Sequence, residues 1–317
     1  MGLSRPTSSS DFPSPRGHRV QSVAHPSGGG IGEVALGGVP DPIDVLNGAG
    51  ATSVSRGIIL GARYISPVLP SPNPPLVLLP PSEGKAPGGR RAVGAGVFSR
   101  VLARQRASVR RALKVTLADE GAWGRVLGVR GALLAPALEA SDLLASGRPP
   151  VLPAWQRYTG VVWEHLDAGT LAAECRARIL VPSGLYGITT AEDEIADYRL
   201  KFSVSLEGVG NLARFWRTPV TAALQRATVG RTVVVMLPDE HAAAIDIEAL
   251  AESCHLVEVR FVDSSGSRSV GHAAKATKGA AARTLLLGGL PALEHFAVDG
   301  WTARRAGEHL EIVSPAT

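Results

Sequence analysis

The sequence predicts a mixed α+β fold: one compact domain with a central mixed sheet, surrounding helices and a helix-hairpin-helix-like element, preceded by a disordered extension. Three observations carry this prediction. Short apolar runs that read as buried strands intermix with longer segments of helical period, so neither an all-α nor an all-β chain fits. These signals fall after residue 75, which leaves roughly 240 residues for a single domain, 76–317. Residues 1–75 are rich in Ser, Pro and Gly, lack lysine and show no sustained period, as expected of a segment that buries too little to fold. Within them 28–30 (Gly-Gly-Gly) and the prolines of 67–75 read as flexible and polyproline-like linkers, with 53–64 an alternative short strand or helix.

Composition narrows the partners. At 317 residues, 45% hydrophobic and 19% charged, the chain is an ordinary globular one. Its net charge of +5 favours an anionic partner, either nucleic acid or a nucleotide-like small molecule. Arginine outnumbers lysine, which suits phosphate and carboxylate, although a GC-rich genome produces the same bias. Cys175 and Cys254 form neither a disulfide framework nor a zinc pattern, so a reducing cytoplasm is expected. No apolar run reaches membrane length, and Met1 to Ser10 do not have a signal layout. A monomer without a membrane partner is expected, with the cofactor unknown and no metal assigned.

The ordered part starts at 76–79 (Leu-Val-Leu-Leu), a buried strand that runs into 80–85 (Pro-Pro-Ser-Glu-Gly-Lys). A basic region follows, with no acid between Glu83 and Asp119; at helical spacing Arg100, Arg104 and Arg111 share one face, and Arg106 and Arg110 another. Such a run is a solvated face or a phosphate-binding one. The segment 123–131 (Trp-Gly-Arg-Val-Leu-Gly-Val-Arg-Gly) lies between two helical stretches. Its Gly128, Arg130 and Gly131 either present backbone N–H groups to a phosphate or only end one helix and begin the next. The run 178–182 (Arg-Ile-Leu-Val-Pro) reads as a strand broken by glycines, which puts Ser183 and Tyr186 at a strand end, where ligand sites gather. Pro219 is expected to open a new helix through Arg226. The strongest strand, 232–237, ends in 238–241 (Pro-Asp-Glu-His), and 256–262 alternates as a half-exposed strand. Segment 271–287 reads as an Ala-rich helix bearing Lys275, Lys278 and Arg283, and 309–313 as a final edge strand.

Several residues have a chemical and a plain structural reading. Ser82 and Lys85 follow a strand in a glycine-containing turn that lacks the glycines of a Walker motif; Lys85 is a phosphate anchor, a base of lowered pKa, or a surface lysine. Tyr186 donates or stacks, or is a half-buried tyrosine at a sheet end. Arg199, beside Tyr198, clamps an anion or pairs with an acid of 192–194 (Glu-Asp-Glu). Phe215 and Trp216 stack on bases or anchor a helix, with Phe215 favoured for the core. Asp239 and Glu240 are the general acid/base candidates, since apolar walls raise a carboxyl pKa. With His241 they form a conceivable but less favoured metal set, three consecutive residues rarely facing one ion. Neither cysteine looks like a peroxidase nucleophile.

In this order the pieces 76–85, 158–160 (Tyr-Thr-Gly), 183–187 (Ser-Gly-Leu-Tyr-Gly), 198–200 (Tyr-Arg-Leu), Phe215-Trp216, Asp239-Glu240 and the basic helix from Lys275 to Arg283 resemble the YaaA family of bacterial peroxide-stress proteins over essentially 76–313. The resemblance implies a positively charged cleft, a helix-hairpin-helix-like element at 127–131, binding to double-stranded DNA without sequence preference, and a role in limiting iron-dependent oxidative damage. It places Ser82, Lys85, Ser183, Tyr186, Tyr198, Arg199, Trp216, Asp239, Glu240, Lys275 and Lys278 around the cleft. Two departures bear on the ligand: Asp197 stands where many members have proline, and His241 where an aromatic is common. The same polar set also fits a different class, an enzyme acting on a small nucleotide-like, phosphate-bearing or planar substrate. There Lys85 or Lys278 would hold the anion, Asp239 or Glu240 would move a proton, and Tyr186 would orient the ring.

Overall fold

The structure is a computed structural model and describes residues 73–315, apart from 93 and 148. The readings made for 1–72 lie outside the described residues. In chain order the described part forms β1 (Leu76–Leu78), α1 (Ala103–Thr116), α2 (Trp123–Leu127), α3 (Leu134–Ala145), β2 (Val151–Pro153), α4 (Ala154–Arg157), α5 (Val161–Leu166), α6 (Ala173–Arg176) and β3 (Ile179–Ser183). There follow β4 (Gly187–Thr190), β5 (Glu194–Ala196), β6 (Ser205–Leu206), β7 (Gly210–Asn211), α7 (Leu212–Ala227), β8 (Thr232–Val235), α8 (Asp239–Ala242) and α9 (Ile247–Ala251). The last elements are β9 (His255–Val262), α10 (His272–Glu294), β10 (Ala297–Val298), β11 (Trp301–Ala306) and β12 (His309–Val313).

Eight strands form one sheet in the order β10-β11-β12-β9-β8-β1-β3-β4. The stretch from β12 to β3 is parallel, and β10, β11 and β4 add antiparallel edges, which makes the sheet mixed as expected. β1 and β3 are buried along their whole length, as the apolar runs required for strands covered on both faces. β12 is not the edge strand expected for 309–313: it pairs with β9 on one side and β11 on the other. The strands outside it were hard to see because β11 has only Trp301 buried, with Thr302, Arg304 and Arg305 exposed, and β10 is two residues long.

Pro219 does not open a helix either. α7 begins at Leu212, capped by the Asn211 side chain accepting from the Arg214 N–H at 3.1 Å, and continues through Pro219. Burial of Leu212, Trp216, Val220, Ala223, Leu224 and Ala227 on one face outweighs the single backbone bond that proline removes. The Ala-rich helix α10 extends beyond 287 and kinks at Gly289. It is tied to α5 by Arg283, whose guanidinium donates to the Leu166 and Asp167 carbonyls at 3.1 and 3.0 Å.

The connections position the site. From β1 the chain moves to β3 on one side, returns past β1 to β8 on the other, and goes outward to β9. That reversal makes the carboxyl end of β1 a topological switch point, where a parallel sheet leaves a crevice for a ligand. Among the described residues no helix is long and apolar enough to cross a membrane.

Candidate functional site

The crevice is there. A cavity of about 690 Å³ opens beside the loop after β1 and is lined by residues of that loop, of the 127–133 turn, of the 198–202 segment, and by Glu240 and His241 of α8. The loop is held open by strand-like pairing with the segment after α4: Lys85 opposes Tyr158, and the Thr159 N–H donates to the Gly84 carbonyl at 3.2 Å. Behind the loop Arg157, wholly buried, donates to the carbonyls of Ala86, Gly88 (2.9 Å), Pro150 (3.3 Å) and Ile195 (3.4 Å).

Lys85 points its amine at aromatic faces. Its Nζ lies 4.4 Å from the ring centre of Tyr198 and 5.5 Å from that of Tyr158, and it donates to the Ser82 carbonyl at 2.8 Å. No carboxylate pairs with it among the described residues. Burial, and then the nearby Arg199 guanidinium, lower its pKa to about 7. The tyrosine hydroxyls are engaged with one another: Ser183 Oγ donates to Tyr198 Oη at 2.8 Å, and the Tyr198 and Tyr158 hydroxyls are hydrogen-bonded at 3.0 Å. Burial pushes Tyr198 up to about 12 and Tyr158 well above its ordinary value, so both stay protonated near neutral pH.

The mouth of the cavity carries the charge. Arg199 pairs with Asp197 at 3.2 Å, not with the acids of 192–194, because Glu192 and Glu194 are bound to Arg176 and Arg90. Lys201 pairs with Glu83, and Arg130 lines the same opening. The expected hairpin segment folds as the five-residue α2, a left-handed turn at Gly128 (φ 66°) and α3. This brings Leu127, Gly128, Val129, Arg130 and Leu133 to the cavity.

The cavity thus brings together Ser82, Lys85, Gly128, Arg130, Tyr198, Arg199 and Glu240 of the expected set. Ser183 and Tyr186 lie behind it: the Tyr186 N–H donates to Ser183 Oγ at 3.1 Å, and its hydroxyl accepts from the Ala196 N–H at 3.0 Å. Trp216 is in the core, wholly buried, donating to the Gly184 carbonyl at 2.8 Å, while Phe215 is half-buried and meets its ring edge-on. Phe215 thus packs against the core as expected, whereas Trp216 leaves the cleft for the core and has no free face to stack on a base.

Asp239 also departs from expectation. It is exposed and bound to Arg268, which holds its carboxyl below the usual range, opposite to the elevation expected of a carboxylate against apolar walls. Glu240 accepts from Ser203 Oγ at 3.0 Å. His241 meets the Phe202 ring edge-on at 6.0 Å; burial depresses it to about 4, and its Nδ1 has no hydrogen-bond partner among the described residues. Glu240 and His241 line the same cavity while Asp239 is turned to Arg268, and no group of three or more metal-ligating side chains is found among the described residues.

The basic residues divide. Arg106 is structural, donating to the Tyr186 and Ile188 carbonyls at 2.9 Å and to Ser99 Oγ, whereas Arg104 and Arg111 stand exposed on α1. Arg283 serves the α5 contact described above. Lys278 is half-buried with its Nζ 5.1 Å from the Phe261 ring centre, and burial lowers it to about 8; Lys275 is exposed. Gly131 begins the single turn that leads into α3. Glu83, Thr159, Lys201 and His241 line the cavity without having been singled out as its residues. The alternation of Arg199 and Lys201 was a usable signal, since residues two apart in an extended segment face the same side.

Comparison with known proteins covers this region. The family described as Peroxide stress protein YaaA matches residues 76–306. A UPF0246 protein of Streptomyces coelicolor is 34% identical over 221 residues, 68% of this chain and 84% of that protein. One from Corynebacterium glutamicum is 31% identical over 219 residues, 67% and 85%. Another, from Corynebacterium efficiens, is 35% identical over 159 residues, 47% and 61%.

Proposed function

The chain belongs to the YaaA peroxide-stress family, and from that premise we propose that it serves the bacterial response to peroxide by binding phosphate-bearing substrates, DNA first among them, at the crevice beyond β1. The observation that carries this reading is the division of charge in the crevice. Arg130 and Lys201 are exposed and Arg199 is half-buried along a lining that also carries Glu83 and Glu240, with Arg199 and Lys201 paired to Asp197 and Glu83. The aromatic rings and hydroxyls of Tyr158, Tyr198 and Ser183 are buried. Guanidinium forks at such a rim grip phosphate, and the exposed Arg104 and Arg111 of α1 add positive surface of the kind that supports sequence-tolerant binding. Limiting iron-dependent damage follows physically: cations that replace the counterion atmosphere of DNA displace ferrous ions with it.

A second reading is supported by the cavity itself. At about 690 Å³ it has the size of a small-ligand site, roughly 300–1,000 Å³. An enzyme of nucleotide-like substrates would use Lys85 and the tyrosines where duplex backbone does not reach. Duplex binding followed over a salt series separates the two. Arg130→Ala with Arg199→Ala is expected to weaken binding and to flatten the log–log salt slope by about one per charge removed. An unchanged slope would remove the DNA reading; loss of nucleotide binding in the same variant would then favour the second.

A further inference from the structure

Lys85 is poorly placed to be a simple anion holder. A lysine meant as a point charge keeps its charge through a carboxylate or water; this one has a single carbonyl acceptor, two aromatic faces and a repelling guanidinium. The hydroxyls that could accept from it are already engaged with each other. The charged groups around it are Arg199 and Asp197 of the 197–199 segment, Glu83 of its own loop and Arg157 behind it, with Tyr158 and Tyr198 neutral. Arg130, with no ion-pair partner among the described residues, and Arg199 and Lys201, once exchanged from Asp197 and Glu83, supply positive charge for a phosphate without Lys85.

We propose that Lys85 is a nucleophile, and that the cavity takes a phosphate-bearing aldehyde, holding the phosphate at the arginine rim while the Lys85 amine forms an imine with the carbonyl carbon. The proposal rests on the reading of the crevice as a phosphate site. The amine lone pair makes the C–N bond, the carbonyl π bond opens to a carbinolamine, and its oxygen leaves as water with the two amine hydrogens. No oxidant or reductant is consumed. Two sources share this chemistry: the ring-opened sugar at an abasic site in DNA, and a free sugar phosphate. The neutral amine is the reactive form, so the reaction should fall away as pH drops below about 7.

The test is reductive trapping on the full chain. Sodium cyanoborohydride is added with a duplex containing one abasic site, the same duplex with a tetrahydrofuran analogue that lacks the aldehyde, or glyceraldehyde 3-phosphate. A stable adduct that maps to Lys85 by peptide mass spectrometry, absent with tetrahydrofuran and at least about tenfold weaker in Lys85→Arg, is the expected result. The abasic duplex or the sugar phosphate reacting alone identifies the source. Adducts spread over Lys201, Lys278 and surface lysines, or no adduct with either aldehyde, overturn the proposal. Anisotropy without reductant keeps the two readings apart: binding without an adduct removes only the imine, whereas absence of binding removes the phosphate site too. If Lys85→Arg does not fold, mapping on the unaltered chain decides.

Discussion

The back and the front of the loop after β1 bury cations in opposite ways. At the back, Arg157 directs its guanidinium to four backbone carbonyls and is sealed from solvent. At the front, on the facing rung, Lys85 has one carbonyl and an open cavity. A buried cation whose donors are satisfied by the main chain is a clip that holds the fold together. One left partly satisfied beside a cavity costs stability and is available for chemistry. The difference lies in the acceptors each cation is given: Arg157 has four carbonyls, Lys85 one.

Substitutions test this contrast, and the largest effect is expected at the back. Arg157→Met leaves buried carbonyls without donors and should cost about 3–5 kcal/mol, read by urea denaturation. A loss below about 1 kcal/mol would mean that the clip is incidental. Gly187→Ala comes next: at φ 74° its Cβ would lie 2.7 Å from the Trp216 ring, so about 2–4 kcal/mol should be lost in the same assay. At the front the sign reverses. Lys85→Met should stabilise the protein by about 1–2 kcal/mol at pH 6, because it removes a poorly solvated charge.

That gain depends on pH. With its pKa lowered to about 7 in the folded state and ordinary in the unfolded one, Lys85 destabilises fully below about 7 and progressively less as pH rises towards 10.5. The stability gap between Lys85→Met and the unaltered chain should therefore close over that range, and a pH-independent gap would contradict the assigned environment. The smallest effect belongs to the exposed face. Arg104→Ala should change stability by less than about 0.5 kcal/mol while lowering the DNA salt slope by about one.

Much of the fold was legible because the central strands are covered on both faces. The runs at 76–79, 178–182 and 232–237 could hardly be anything else, and β1, β3 and β8 lie in them. β12 was misplaced to an edge because β10, two residues long, and β11, which alternates little and carries Thr302, Arg304 and Arg305, lie outside it. α7 was cut at Pro219 because the buried face that carries the helix through the proline, from Leu212 to Ala227, is not visible in the proline's own neighbourhood. In the site, Lys85 and Arg199 were legible as polar residues at strand ends. The clip at Arg157 and the core position of Trp216 were not, since both depend on partners tens of residues away. Asp239 was misread for the same reason: its environment is Arg268, supplied by the loop after β9.

The account is tested most directly by the titration of one amine. Trace acetylation of the full chain between pH 5 and 11, with each lysine followed by mass spectrometry, measures the free-amine fraction at every site. Lys85 should show half-reaction near pH 7, well below the exposed lysines, and should be shielded by a bound phosphate-bearing ligand. Half-reaction at the pH of the exposed lysines, with no shielding, would contradict the claim that this crevice holds the working site.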